Sequence, residues 1–132
     1  MIVVTGGAGF IGSNLLAGLE ERGHGPFCVI DELGKGEKWK NLRRRELEEL
    51  VPPEDIFELL DRAGDEISYV FHMGAISATT EKDVDLIVQT NVRLPQALWD
   101  WCTQNRVPFL YASSAATYGD GSRGYSDEHD GT

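Results

Sequence analysis

No apolar run in this sequence approaches the roughly 20 residues that a helix needs to cross a bilayer, so no membrane-spanning helix is expected. No basic n-region is visible either: Met1 runs straight into a predicted strand, so no signal peptide is expected. Cysteine is scarce. Cys28 and Cys102 lie far apart among apolar neighbours, which argues against a disulfide framework and for two buried free thiols in a reducing compartment. Basic residues are outnumbered, 12 Lys and Arg against 22 Asp and Glu, and the net charge of −10 argues against nucleic acid as the main partner. The one basic cluster, residues 43–45, reads as a solvated face. No internal repeat and no low-complexity segment is present, and no metal site is expected. What remains is 132 residues with 41% hydrophobic and 26% charged side chains. That is enough for one packed domain, too short for two of ordinary size, and unlike a disordered chain.

The most informative stretch is TGGAGFIGSN, residues 5–14. Glycines at 7, 9 and 12 fit G-x-G-x-x-G, and those at 6, 9 and 12 fit a wider G-x-x-G-x-x-G. A strand that turns sharply into a helix, with a diphosphate lying against bare backbone, has no room for a Cβ at the turn. The first N–H groups of the helix then face the anion, and the helix dipole adds attraction. The motif sits between a predicted strand and a predicted helix, as the fingerprint requires.

The chain in order supports a parallel α/β reading. A strand at residues 2–5 is followed by a helix over 10–22, with Ile11, Leu15 and Leu19 on one stripe and Gly12 letting the helix approach the sheet. Gly23 is a left-handed stop and Pro26 bars continuation. The second strand, 27–30, is apolar throughout, as suits a strand covered on both faces. It ends at Asp31, 19 residues after Gly12, where an acid meets the adenosine ribose in dinucleotide folds. That acid favours NAD. Lys35, Lys38, Lys40 and Arg43 follow, and they either neutralise the extra phosphate of NADP or decorate a solvated loop. Charge alone tilts the choice to NADP. Residues 41–51 begin as a short helix and end in a short strand at 47–51. Pro53 opens a helix over 54–63 that Gly64 stops, and 67–72 is another strand.

HMGAISATTE, residues 72–81, follows that strand at the carboxyl end of the sheet, where ligands bind in doubly wound folds. Its small residues let a cofactor pass close to backbone, while Thr79 or Thr80 suits a helix cap. His72 by itself reads as a satisfied core histidine. A long helix over 81–104 should kink at Pro95, which frees the carbonyl of Asn91. Asn91 is then either an active-site anchor or a surface asparagine. Trp99, Trp101 and Cys102 read as core or interface residues. The last strand, 109–112, leads into SSAATYG, where Ser113 or Ser114 either binds a substrate oxygen or caps the next segment.

TGGAGFIGSN, HMGAISATTE and FLYASSAATYG, in this order, resemble the extended short-chain dehydrogenase/reductase family, which holds the nucleotide-sugar epimerases and dehydratases. GAISATTE, YASSAATYG and DELGKGEKWKNL carry the resemblance to the epimerases; the glycine motif supports only the superfamily. The resemblance implies an α/β Rossmann-like, doubly wound parallel sheet, incomplete at the C-terminus. It implies that Gly6, Gly9, Phe10, Ile11 and Gly12 hold the diphosphate and that Asp31 and Glu32 meet the adenosine ribose. Lys38 would pair with the 2′-phosphate of NADP, NAD being the other possibility. Ala75, Ile76 and Ser77 would line the nicotinamide side, Asn91 would match the family's helix asparagine, and Ser114 would match the catalytic serine. The implied substrate is a nucleotide sugar, oxidised transiently and reduced again, in a cytoplasmic homo-oligomer.

One element departs from the family. Its Tyr-x-x-x-Lys pair is absent: Tyr111, Tyr118 and Tyr125 are followed four places on by Ala115, Ser122 and His129. The motif, the last strands and the substrate domain would lie beyond Thr132, so residues 1–132 are expected to be the amino-terminal part of a larger enzyme, inactive alone. A 4-epimerase or dehydratase is the nearest rival. Residues 115–117 lack the acids expected of a dehydratase. A non-catalytic dinucleotide-binding module is the rival of another class.

Overall fold

The computed structural model describes residues 1–76, 81–126 and 128. Strand β1, Ile2–Thr5, is buried along its whole length and sits at the centre of five parallel strands in the order β3-β2-β1-β4-β5. The others are β2, Phe27–Ile30; β3, Leu47–Val51; β4, Tyr69–His72; and β5, Phe109–Tyr111. The order in which successive strands are added reverses at β1, from the β2-β3 side to the β4-β5 side, which makes the β1/β4 boundary the topological switch point of a doubly wound fold. Thr5 is in register with Ile30 on one side and His72 on the other, so three strand ends open onto one cleft.

Alternation of side chains along the strands makes two cores. On one face Val3, Cys28, Val51 and Val70 pack with Leu59 and Leu60 of α2, Ile56–Ala63, and Leu98 and Cys102 of α4, Leu94–Asn105. On the other, Ile2, Val4, Phe27 and Val29 pack with Leu16 of α1, Phe10–Glu21. These elements realise the Rossmann-like, doubly wound α/β sheet that the sequence motifs imply. A register irregularity beside Phe27 sets Leu47 opposite Phe27 but Glu49 opposite Cys28. It turns Leu47 and Val51 into opposite cores despite their even spacing.

Several helix boundaries follow from local chemistry. α1 closes with His24 N–H to Leu19 O at 3.0 Å and Gly23 N–H to Glu20 O at 2.9 Å. Gly23 has φ +75° there, the pattern of a Schellman stop. The buried stripe of α1 runs through Gly12 and Leu16, with Leu15 and Leu19 half-buried, and Ile11 is 62% exposed. The expected stripe is therefore one residue out at its start, because the helix begins over the cleft rather than over the sheet. β4 starts at Tyr69, not 67, because Ile67 N–H closes a turn onto Gly64 O at 3.2 Å.

The predicted helix over 81–104 is three pieces. α3, Val84–Val88, starts at Asp83, whose carboxylate accepts from Leu86 N–H at 3.0 Å. A π turn, Gln89–Arg93, then leads into α4, whose second residue is Pro95. Proline cannot donate to the carbonyl of Asn91, and the widened turn absorbs that missing bond. Thr79 and Thr80, the expected caps, lie outside the described residues. Cys102 is core and Trp99 is 54% exposed. Both cysteines are free and buried, and burial pushes the Cys28 thiol up to about 12 and that of Cys102 up to about 11.

Candidate functional site

The cleft at the switch point is built on a glycine turn. Gly6 donates its N–H to Ile30 O at 2.8 Å, and its carbonyl accepts from Gly9 N–H at 3.0 Å. Gly6 has φ +67°, and a Cβ there would lie 2.6 Å from the backbone nitrogen of Gly74. A Cβ on Gly12 would lie 2.2 Å from the Gly6 carbonyl oxygen. Gly7 instead faces Val29 in the core, where a Cβ would stand 2.8 Å from a methyl group. Of the two overlapping glycine patterns, the one at 6, 9 and 12 therefore borders the cleft. The first N–H groups of α1 have no intrahelical acceptor, and Phe10, Ile11 and Gly12, which carry them, line the same cleft. Phe10, 84% exposed, and Ile11 stand at its rim.

Asp31 carries the second wall. Its Oδ2 accepts from Ala8 N–H at 2.8 Å, and its Oδ1 accepts from Glu32 N–H at 2.7 Å and from the Lys38 ammonium. Lys38 also donates to Glu32 O at 3.2 Å. The acid thus fastens the glycine turn to β2 while a lysine offsets its charge. Asn41 completes the brace, donating to Ala8 O at 2.7 Å. The Asp31–Ala8 bond and the Asn41 brace were not legible in the sequence; the spacing between Gly12 and Asp31 points to the acid but not to its structural partner.

The third wall is the loop after β4. Met73 N–H donates to Thr5 O at 3.0 Å, and Gly74 N–H donates to Thr5 Oγ1 at 3.1 Å. Asn91, in the π turn, grips Ile76 twice: its Oδ1 accepts from Ile76 N–H at 2.8 Å and its Nδ2 donates to Ile76 O at 2.9 Å. His72 is buried, with Nδ1 2.6 Å from Thr5 Oγ1, which agrees with its reading as a satisfied core histidine. Burial alone holds its pKa below the ordinary 6.5.

The resulting cleft measures about 470 Å³, within the usual range for small-molecule sites. Gly6, Gly9, Phe10, Ile11, Gly12, Asp31, Glu32, Lys38, Ala75 and Ile76 all line it. Asn91 does not, and acts on the wall through Ile76. Ser77 lies outside the described residues. Ser114 is not on the cleft; it is exposed, and its Oγ accepts from Ala116 N–H at 3.2 Å as the cap of a short turn, Ala115–Tyr118. The capping alternative is what its present contact realises. Thr5, Thr90 and Leu94 also line the cleft. A polar last residue in an otherwise apolar strand, IVVT, was the available signal for Thr5.

A central glycine turn at a helix start, an acid closing β2 and an open cleft at the switch point define a Rossmann-like unit suited to a dinucleotide. Residues 2–132 match the NAD dependent epimerase/dehydratase family. The chain belongs to that family. It is 43% identical over 130 residues to the ADP-L-glycero-D-manno-heptose-6-epimerase of Fusobacterium nucleatum, covering 97% of this chain and 39% of that protein. Among solved structures it is similar to the Helicobacter pylori ADP-L-glycero-D-manno-heptose-6-epimerase, with TM-score 0.74 and 30% identity over 90% of this chain and 40% of that one. It is similar also to the Bacillus cereus UDP-glucuronic acid 4-epimerase in complex with UDP-glucuronic acid and NAD, with TM-score 0.76 and 28% identity over 96% of this chain and 44% of that one. The chain therefore spans about two fifths of the length of the curated relatives it matches. Among the described residues no helix is long and apolar enough to cross a membrane.

Proposed function

We propose that residues 1–132 are the amino-terminal, cofactor-holding part of a nucleotide-sugar epimerase that acts at C6 of an ADP-glycero-manno-heptose. The observation that carries this reading is the 43% identity over 97% of the chain to a protein of that name. Two 4-epimerases of known structure reach 28% and 30%, the heptose epimerase of known structure also 30%. The fold likeness to the first of these, TM-score 0.76, keeps a 4-epimerase as the second reading. In the proposed role the product serves lipopolysaccharide core synthesis, in the cytoplasm, and the complete protein is a homo-oligomer.

The residues present fit a nicotinamide dinucleotide, because a Cβ on Gly6 or Gly12 would intrude on the turn where a diphosphate must meet backbone. When bound, NADP supplies the acceptor and then the donor of the hydride at C6. Gly6, Gly9, Phe10, Ile11 and Gly12 bind the diphosphate. Asp31 and Glu32 would receive the adenosine ribose, and Lys38, which lines the same wall, would offer its charge to the 2′-phosphate. Ala75, Ile76 and Ser77 line the nicotinamide side, kept in line by Asn91. Ser114 donates to the reacting sugar oxygen; its cap contact uses only an oxygen lone pair, so its proton remains available. The tyrosine and lysine that move the proton are contributed by the remainder of the enzyme, so the 132 residues alone are inactive.

Two measurements test this. Titration of the chain with NADP+ and NAD+ should show tighter NADP+ binding, and Lys38→Ala should abolish that preference; tighter NAD+ binding would refute the NADP reading. The coding frame past codon 132 should carry Tyr-x-x-x-Lys, and its full product should interconvert the C6 epimers of the ADP-heptose. Epimerisation at C4 of a UDP-sugar instead would select the second reading.

A further inference from the structure

Thr5 Oγ1 has two buried partners, and their chemistry fixes where its proton goes. Gly74 N–H, 3.1 Å away, can only donate, so the Thr5 oxygen accepts from it. The hydroxyl proton must then find an acceptor, and His72 Nδ1 lies 2.6 Å away. Thr5 and His72 are both only 4% exposed, so water does not compete freely for either group. Were the ring proton on Nδ1, it would point at the hydroxyl oxygen and leave the hydroxyl proton buried without its acceptor, which is costly. From this geometry we infer that Thr5 is a positioning residue: one hydroxyl orders the Gly74 segment and holds His72 as the neutral tautomer with its proton on Nε2.

The place of this relay gives it a function. It joins the ends of β1 and β4, the two strands that flank the switch point. It pins Gly74 where that residue's backbone abuts Gly6, the contact that sets how close two walls of the cleft can come. It also leaves a residue lining the cleft with an uncharged N–H donor rather than a cation. Tyr111 faces His72 in register from β5, and Phe109 stacks on the ring with centroids 6.3 Å apart. Burial lowers the ring's pKa, which favours the neutral form that this tautomer requires.

The test is nitrogen-15 NMR of the imidazole rings in the 132-residue chain, with His72 assigned by its loss in His72→Asn, together with amide exchange at Gly74. Wild type should show an unprotonated, hydrogen-bonded Nδ1 and a protonated Nε2. Thr5→Ser keeps the hydroxyl and should preserve both ring signals and Gly74 protection. Thr5→Val should shift Nδ1 and speed exchange at Gly74 about tenfold, the value of one modest hydrogen bond. A proton on Nδ1 in wild type, or Thr5→Val leaving both readouts unchanged, would overturn the inference. If Thr5→Val does not fold, the wild-type tautomer and Thr5→Ser still decide. None of these readouts needs a nucleotide, so a failure here is separate from a failure of the proposed cofactor binding.

Discussion

Replacing Gly12 by alanine sets two effects against each other inside one helix. Helix propensity favours the change, since alanine is about 0.8–1.0 kcal/mol better than glycine in a helix interior. Packing opposes it. The new Cβ would stand 2.2 Å from the Gly6 carbonyl oxygen and 2.8 Å from Gly7 Cα, both backbone atoms. Neither atom can rotate away, so α1 must lift from the glycine turn or the turn must move. Overpacking costs roughly 1–3 kcal/mol, and two clashes with backbone put this site at the upper end, about 3 kcal/mol, which leaves a net loss of about 2 kcal/mol after the propensity gain. Gly18→Ala in the same helix is the matched control. Its Cβ would meet only the end of the Arg22 side chain, at 3.2 Å, which swings aside cheaply, so a gain of about 0.5–1 kcal/mol is expected. Urea unfolding followed by circular dichroism reads both changes. NADP+ binding should weaken at least about tenfold in Gly12→Ala, because small displacements of a positioned site are expensive, and stay unchanged in Gly18→Ala. If Gly12→Ala proves as stable as Gly18→Ala, the close approach of α1 to the turn is not what requires glycine, and the reasoning fails.

Asn91→Ala removes both hydrogen bonds to Ile76 and leaves that residue's backbone groups part-buried without them. A loss of about 1–3 kcal/mol is expected, seen as faster amide exchange at Ile76; unchanged exchange would mean that the π turn does not hold the loop. Because burial lowers the His72 pKa below 6.5, the unfolded chain takes up a proton below that pH before the folded chain does. Stability contributed by neutral His72 is therefore complete above pH 6.5 and falls on acidification, by at most about 1.4 kcal/mol per pH unit, until the folded pKa is passed. Chemical denaturation from pH 7.5 to 5 should show this slope, and His72→Asn should flatten it; an equal slope in both would remove His72 as its source. Leu110 and Tyr111 of β5 are 53% and 51% exposed and Tyr69 of β4 is 48% exposed, an apolar edge of the kind that invites pairing. Sedimentation of the 132-residue chain should therefore show concentration-dependent association that Leu110→Lys reduces. A monomer at all concentrations would contradict this.

What the sequence made legible was what local chemistry dictates. β1 and β2 fall where the apolar runs lie, because strands buried on both faces read as continuous apolar stretches; β3, LEELV at the sheet edge, carries two glutamates and is buried only at Val51. Gly6, Gly9 and Gly12 were readable because a turn with no room for a Cβ admits one residue type. Spacing alone did not choose between the two overlapping patterns; the family resemblance did, and the physical reason is Gly74, 68 residues on from Gly6, pressing against the turn. The same reason hid the start of the stripe on α1 and the Asp31–Ala8 bond: each is set by a neighbour distant in sequence. Pro95 announced a disturbed helix but not its form, because a freed carbonyl can be met by a kink, a break or a widened turn.

Ser114 shows where local reading ends. A serine at the carboxyl end of a strand is equally suited to a substrate or to a cap, and in this chain its oxygen caps Ala116. The two uses are compatible, because the cap takes a lone pair and the substrate would take the proton. The glycine turn, Asp31 and the Asn91 clasp are braced by hydrogen bonds between segments distant in sequence: Asp31 to Ala8, and Asn91 to Ile76. The Ser114 side chain, by contrast, bonds to Ala116 two residues on, and Tyr111 at the end of β5 is 51% exposed. Cofactor affinity should accordingly reside in residues 1–77 and 90–94 and tolerate substitutions around 110–118. Transition-state stabilisation would depend on groups that pack against β5 and bring Ser114 into line with the cleft.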